Sequence, residues 1–203
     1  MVGELNYFLG LQVKQRKDGI FISQEKYAKN LVKRFGLDSK KHASTPMSSS
    51  VKLSSDLASV EVDPTLYRSM IGSLLYLTAS RPDIAFSVGV CARFQAAPNE
   101  SHLTVVKRII RYVNGTSNYG ISYSRDSNDC LAGYLDDDWA GCVDDGKSTS
   151  GICFYLKTNL VSWMSKKQNL VSLSTVEAEY IAAGSCYAQL LWMKKLLHDY
   201  GIS

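Results

Sequence analysis

The sequence contains no run of eighteen apolar residues, so no membrane-spanning helix is expected. Its first residues, Met1-Val2-Gly3-Glu4-Leu5-Asn6, lack the basic-then-apolar order of a secretory signal, and an intracellular protein, cytoplasmic or nuclear, is the expectation. Five cysteines occur, Cys91, Cys130, Cys142, Cys153 and Cys186, an odd number without a C-x-x-C pair. That usage points to reduced, mainly structural thiols. The three histidines, His42, His102 and His198, have no metal-ligand spacing, and neither a nucleophile elbow nor a Gly-rich phosphate loop occurs.

What is present is enough apolar material to fold and an uneven distribution of charge. With 203 residues, 45% of them hydrophobic, the chain has room for one large or two small domains. Its net charge of +4 hides a gradient: residues 1–60 hold ten Lys/Arg against five acids, residues 61–126 seven against five, and residues 127–203 six against nine. A basic body followed by an acidic end suits a polyanion-binding platform joined to a carboxylate site; ordinary surface charge is the alternative.

Residues 5–15 and 20–23 are β-prone and flank Lys17-Asp18-Gly19, a hairpin signal. Ser23 is positioned to cap a helix over 24–35, which Gly36 ends. Tyr27, Leu31, Val32 and Phe35 mark its apolar face; Lys26, Lys29, Lys33 and Arg34 lie mostly away from it, open to a phosphate backbone or to water. A Ser-rich stretch over 43–60 reads as a linker or strap. Asp63-Pro64 then starts a helix to Ala79, Ser80-Arg81-Pro82-Asp83 leads into a second near 84–94, and Pro98-Asn99-Glu100 opens a third that closes at Asn114-Gly115. Lys107, Arg108 and Arg111 cluster within about one turn of that third helix.

The last third has strand-like segments at 131–139, 151–157 and 160–164, with Thr158-Asn159 as a turn, and then a helix from about Thr175 to Tyr200 closed by Gly201. Ser174 and Glu177 form a capping box, in which each side chain is expected to accept from the other residue's backbone N–H. Glu179 lies about 200° further round the helix, on the face of Ala182, Ala183, Cys186 and Leu190. Strand alternation separates Asp136 and Asp138 from Asp137, and the reading turns Asp136 or Asp138 toward the helix and Asp137 away. Convergence of these carboxylates with Glu179 would imply Mg2+ or Mn2+ held by oxygen ligands; a solvated Asp triplet is the alternative.

The stretch Gly133-Tyr134-Leu135-Asp136-Asp137-Asp138-Trp139-Ala140-Gly141 resembles the copia-type pattern G-Y-S-D-A-D-W-A-G, with Leu135 and Asp137 departing from Ser and Ala. Lys147-Ser148-Thr149-Ser150-Gly151, Ser162-Trp163, Ser165-Lys166-Lys167-Gln168 and Ser174-Thr175-Val176-Glu177-Ala178-Glu179-Tyr180 follow in the same order. Upstream, Tyr7-Phe8-Leu9-Gly10, Gln24-x-x-Tyr27, Tyr67-Arg68, Gly72-Ser73-Leu74-Leu75-Tyr76-Leu77, Arg81-Pro82-Asp83-Ile84 and Arg111-Tyr112 through Gly115-Thr116 resemble the end of a retrotransposon polymerase and its connection region.

The resemblance to copia-type Pol polyproteins implies an α+β fold in four segments. These are a hairpin and helix from the end of the reverse transcriptase (1–42), the Ser-rich linker (43–60), a mainly helical connection region (61–126) and a truncated ribonuclease H-like domain of three antiparallel strands and a long helix (127–203). It implies catalytic and metal-binding roles for Asp136 and Glu179, with Asp138 as a further ligand and Mg2+ or Mn2+ bound weakly. Nucleic-acid contacts are expected at Lys107, Arg108, Arg111, Lys147, Ser148, Thr149, Lys166 and Lys167, with an RNA–DNA hybrid as partner. The third and fourth carboxylates of the family site would follow Ser203, so the expectation is an incomplete ribonuclease H. The alternative is a non-enzymatic interaction protein that binds a protein partner through an exposed sheet edge.

Overall fold

The computed structural model describes residues 6–48, 50–55, 60–125 and 130–201, and the chain divides into two units, Met1–Ser122 and Tyr123–Ser203. The architecture is mixed α and β, with antiparallel sheets of four and three strands and five α-helices. Expectations placed on Leu5, on Ser49 and residues 56–59 of the Ser-rich stretch, on residues 126–129 and on Ser203 lie outside the described residues.

In the first unit the segment expected as one strand is broken. Strands β1 (Tyr7–Phe8) and β2 (Leu11–Arg16) pair across Leu9-Gly10, whose φ angles of 48° and 81° are both left-handed. Two positive φ values in a two-residue loop define the hairpin turn that matches strand twist. Leu is rarely used there, which is why the pattern did not show it. The Tyr76 hydroxyl donates to Leu9 O at 3.1 Å and fills the space a Cβ on Gly10 would need. The expected second hairpin is present, with β3 (Gly19–Ser23) paired to β2 across Lys17-Asp18; β4 (Gly120–Ser124) completes the order β1-β2-β3-β4.

Helix α1 (Glu25–Arg34) starts at Gln24 rather than Ser23. Gln24 is buried and engaged elsewhere: it donates to Tyr76 O at 3.3 Å and accepts from the Ser80 hydroxyl at 2.8 Å. At the other end Gly36, at φ 65°, donates to Lys33 O and Leu37 N–H to Val32 O, the paired bonds of a Schellman stop. Helix α2 (Pro64–Leu77) has Asp63 as its cap, accepting from Thr65 N–H at 2.8 Å. A 3₁₀ turn (Pro82–Ile84) leads into α3 (Ala85–Ala92), and α4 (Glu100–Gly115) is closed by a reciprocal Asn99–His102 box. Ala28, Leu31, Val32, Tyr67, Ile71, Leu74, Val88, Ile109 and Ile110 build one core from all four helices. Each fully buried side chain of this kind contributes about 1.5–3 kcal/mol relative to exposure.

Arg81 is the largest of the almost fully buried side chains. Its Nε and Nη2 meet both oxygens of Asp83 at 2.8 and 2.7 Å, while Nη1 and Nη2 reach Thr116 O and Oγ1 at 2.9 and 2.7 Å. The Tyr112 hydroxyl donates to the same Asp83 carboxylate at 2.9 Å, and the rings of Tyr112 and Tyr119 lie against the guanidinium. Two separate stretches of the sequence motif thus meet in one ionic cluster built around the buried Arg81.

In the second unit β5 (Leu131–Asp138), β6 (Thr149–Leu156) and β7 (Asn159–Lys167) form the expected antiparallel sheet in the order β5-β6-β7. The β6–β7 turn is Lys157-Thr158, one residue earlier than expected: Leu156 pairs with Asn159, and Lys157 takes the left-handed φ of 66°. Helix α5 (Thr175–Asp199) follows, ending at Gly201 with φ 73°. Ser174 caps it as expected, accepting from Glu177 N–H at 3.2 Å; the Glu177 carboxylate instead reaches Leu173 N–H at 2.7 Å. Among the described residues no helix is long and apolar enough to cross a membrane.

Candidate active site

The carboxylates sit where β5 runs out and α5 begins. Helix α5 lies close to the strand because Ala178, Ala182 and Cys186 are its buried residues and Gly133 faces it: a Cβ on Gly133 would stand 2.8 Å from Cys186 Sγ and 3.1 Å from Leu190 Cδ1. Side chains alternate along a strand, so Asp137 shares the helix-facing side with Gly133. The reading that turned Asp136 or Asp138 toward the helix is therefore reversed. Alternation defines two faces; Gly133 decides which one the helix covers.

Gln168, just past β7, holds this arrangement. Its Nε2, with two hydrogens to give, lies within hydrogen-bond reach of Asp137 Oδ1 at 3.0 Å, Ser150 Oγ at 2.9 Å and Ala178 O at 2.9 Å, and its Oε1 accepts from the Ser172 hydroxyl at 3.3 Å. One buried amide thus joins β5, β6 and the first turns of α5. Neither Gln168 nor Asp137 stood among the expected site residues. The Ser165-Lys166-Lys167-Gln168 motif held the signal, a polar residue directly after a strand.

Asp137 Oδ2 is buried without a hydrogen-bond partner. Burial, and then the negative charges of Asp138, Asp136 and Glu179, raise its carboxyl above the ordinary value. Asp136, Asp138 and Glu179 are thus each near enough to Asp137 to act on it. Asp136, Asp138 and Glu179 are exposed. After Asp138 the chain turns through Ala140, at φ 50°, and Gly141, whose missing side chain leaves room for the Asp138 carboxylate. Oxygen donors of this kind suit Mg2+ or Mn2+, yet among the described residues no three His, Cys, Asp or Glu side chains gather closely enough to hold a metal ion. These residues do not by themselves fit a bound metal.

The expected nucleic-acid residues fall into two groups. Lys107 and Lys166 are exposed. Arg108 is bound to Thr45, its Nε to the carbonyl at 3.1 Å and its Nη2 to Oγ1 at 2.8 Å, and Arg111 Nε is buried without a partner. Lys147 lies 3.9 Å from Asp145, and Lys167 lies 2.8 Å from the same carboxylate. Ser148 and Thr149 are buried, and Ser148 Oγ accepts from Ala140 N–H at 3.1 Å. The Arg108 contact also shows what the described part of the Ser-rich stretch does: it is a strap on α4, with Leu53 buried and Ser54 O 3.0 Å from His102 Nε2.

No family model and no solved structure matches the chain. Among curated proteins it is 41% identical over 199 residues to the retrovirus-related Pol polyprotein from transposon RE1 of Arabidopsis thaliana, covering 98% of this chain and 14% of that polyprotein. It is 38% identical over 192 residues to the uncharacterized mitochondrial protein AtMg00810 of Arabidopsis thaliana, covering 94% of this chain and 79% of that protein. It is 41% identical over 128 residues to the secreted RxLR effector protein 161 of Plasmopara viticola, covering 63% of this chain and 90% of that protein. The chain spans about one seventh of the length of the Pol polyprotein it matches.

Proposed function

The chain belongs to the family of copia-type retrotransposon Pol polyproteins, and from that premise we propose that it carries the end of a reverse transcriptase, its connection region and the start of a ribonuclease H-like domain. The parent activity in this reading is RNA-templated DNA synthesis with metal-dependent cleavage of RNA in RNA–DNA hybrids, inside the cell. Asp136 and Glu179 are its candidate catalytic carboxylates, and Asp138 a candidate third ligand. The observation that carries it is the buried, unpartnered Asp137 Oδ2 at the junction of β5 and α5, near enough to Asp136, Asp138 and Glu179 for their charges to raise its carboxyl. Adjacent carboxylates repel unless a cation neutralises them.

On their own these 203 residues are catalytically incomplete in this reading. Two ions about 4 Å apart need several carboxylates to fix both coordination spheres, and no such group gathers among the described residues. Binding of Mg2+ alone is expected on the order of millimolar, as in loosely built oxygen sites. Incubating the chain with an RNA–DNA hybrid and Mg2+ tests the reading, with Asp136→Asn as control. No cleavage attributable to the site is expected. Cleavage that disappears in Asp136→Asn would overturn the claim of incompleteness.

The effector relative favours a second reading, since this chain aligns with nine tenths of a protein whose name is that of a secreted effector and not of a polymerase. Here the chain is a non-enzymatic interaction protein that binds a protein partner through a sheet edge, β5 and β7 being the outer strands of the second sheet among the described residues.

A further inference from the structure

Away from the carboxylates, the β5–β6 loop and the end of β7 bring a thiol, an amine and an acid into contact. Residues 140–148 form a tight loop in which Cys142 N–H donates to Lys147 O at 3.1 Å and Gly146 N–H to Cys142 O at 2.8 Å. Ala140 and Gly146 make its reversals with φ angles of 50° and 65°. The loop turns Cys142 inward, and Lys167, the last residue of β7, places Nζ 3.0 Å from Cys142 Sγ and 2.8 Å from the Asp145 carboxylate. Lys167 and then Cys142 hold the Asp145 carboxyl below its ordinary value, at about 2.

Contact with an amine separates Cys142 from Cys91, Cys153 and Cys186. Burial pushes Cys91 up to about 12 and raises Cys153 and Cys186 above the ordinary value, which keeps all three protonated and unreactive. The Lys167 amine meets the Cys142 sulfur itself. Cys142 is buried at 5% exposure beneath partly open neighbours, Lys167 at 30% and Asp145 at 38% side-chain exposure, so the way to its sulfur runs between them.

We propose that hydrogen peroxide converts the Cys142–Lys167 contact into a covalent sulfenamide, a redox-dependent staple between the β5–β6 loop and β7. In the first step peroxide delivers one oxygen to sulfur: the S–O bond forms, the O–O bond breaks, and water leaves a sulfenic acid. In the second, the Lys167 ammonium loses a proton to solvent, and the freed nitrogen pair attacks sulfur. The S–N bond forms as the S–O bond breaks, and the second amine proton leaves with the hydroxide as water. One thiol, one amine and one peroxide give one sulfenamide and two waters; sulfur is oxidised by two electrons and peroxide is reduced.

The test uses the full chain treated with hydrogen peroxide and mapped by mass spectrometry after trypsin digestion. The expected product is a pair of peptides joined through Cys142 and Lys167, lighter than their sum by two hydrogens, uncut after Lys167 and separated again by a thiol reductant. Lys167→Arg, which keeps a cation beside Asp145 but offers no such amine, should lose the link and leave a sulfenic or sulfinic Cys142. A disulfide from Cys142 to another cysteine would overturn the proposal, as would a joined pair retaining oxygen, or an unmodified Cys142 beside an oxidised Cys130. The peptide map of the unaltered chain gives this answer without any variant needing to fold.

Discussion

In the unit Met1–Ser122, helices α2, α3 and α4 bury Tyr67, Ile71, Leu74, Val88, Ile109 and Ile110 almost completely. In the unit Tyr123–Ser203, the longer α5 buries only Ala178, Ala182 and Cys186 and leaves Tyr180, Tyr187 and Trp192 at 75%, 64% and 58% exposure. Helix α5 is apolar on two sides: small residues meet the sheet, while Val176, Tyr180, Tyr187 and Leu191 form a second, uncovered stripe. The difference separates two uses of motif residues. In the first unit the residues that carry the family resemblance are structural: Gln24, Tyr27, Tyr76 and Arg81 are spent on bonds within the unit. In the second, the core is small, built on Ile152, Phe154 and Cys186, and the exposed groups at its strand end carry the candidate chemistry.

The largest effect expected from this contrast is at Arg81. Arg81→Ala removes the guanidinium donors from the Asp83 carboxylate and the Thr116 oxygens, and because Asp83 is partly exposed the cost is that of lost charged hydrogen bonds, about 1.5–3 kcal/mol. Denaturant unfolding of the variant should show that loss. Arg81→Lys should recover only part of it, because an ammonium cannot make the two-pronged bond to Asp83. A loss under about 1 kcal/mol would mean that the Arg81 cluster is not what holds the first unit together.

Gly133→Ala probes the second unit in the same way. The new methyl group would stand 2.8 Å from Cys186 Sγ, and overpacking of this kind costs about 1–3 kcal/mol. Combining it with Cys186→Ala should restore part of the stability, since the sulfur is the nearest of three obstacles, ahead of Leu190 and Phe154. Failure of that rescue would show that Gly133 is needed for backbone conformation rather than for the approach of α5.

Much of this layout was legible because it follows from local rules. The Asp63 cap, the Gly36 and Gly201 stops and the three strands followed by a helix depend on neighbours in sequence. What escaped the reading depends on distant partners. Leu9 adopts a left-handed turn with Tyr76 against its carbonyl, 67 residues away, and Gln24 gives up capping to bind Ser80, 56 residues away. At the candidate site the Asp triplet and Glu179 could be picked out as chemistry. Which aspartate faces the helix could not, because Gly133 and Gln168 decide it through packing across three elements.

Salt dependence of nucleic-acid binding tests whether the basic first unit is the contact surface. Lys107 is exposed, whereas Arg108 is committed to Thr45. Lys107→Ala should therefore reduce the slope of log affinity against log salt by about 1, and Arg108→Ala should reduce it less while loosening the strap. A slope that changes with Lys166→Ala and not with Lys107→Ala would move the contact to the second unit.

The smallest expected effect, and the one that separates two acids within the second unit, is the pH dependence of Asp137 and Asp145. Asp137 titrates above its ordinary value of 3.8 in the folded chain, because of burial and then the neighbouring charges. The folded state therefore holds its proton more tightly than the unfolded state does. Stability from this group is highest below pH 3.8 and is lost as pH rises through the raised folded value. Asp145 is opposite: its hydrogen bond with Lys167, then that with Cys142, holds it down at about 2. Its contribution is present above pH 3.8 and disappears as pH falls toward 2. Asp137→Asn should therefore raise the Tm at neutral pH by an amount that shrinks on acidification, since Asn keeps an oxygen for Gln168 and removes the crowded charge. Asp145→Asn should lower the Tm at neutral pH, by little because the group is open to solvent, and that difference should also vanish in acid. Thermal scans at several pH values read both. If the two variants shifted the Tm in the same direction at neutral pH, the strand end would not be a site of carboxylate repulsion, and the main physical support for a cation-binding role there would be lost.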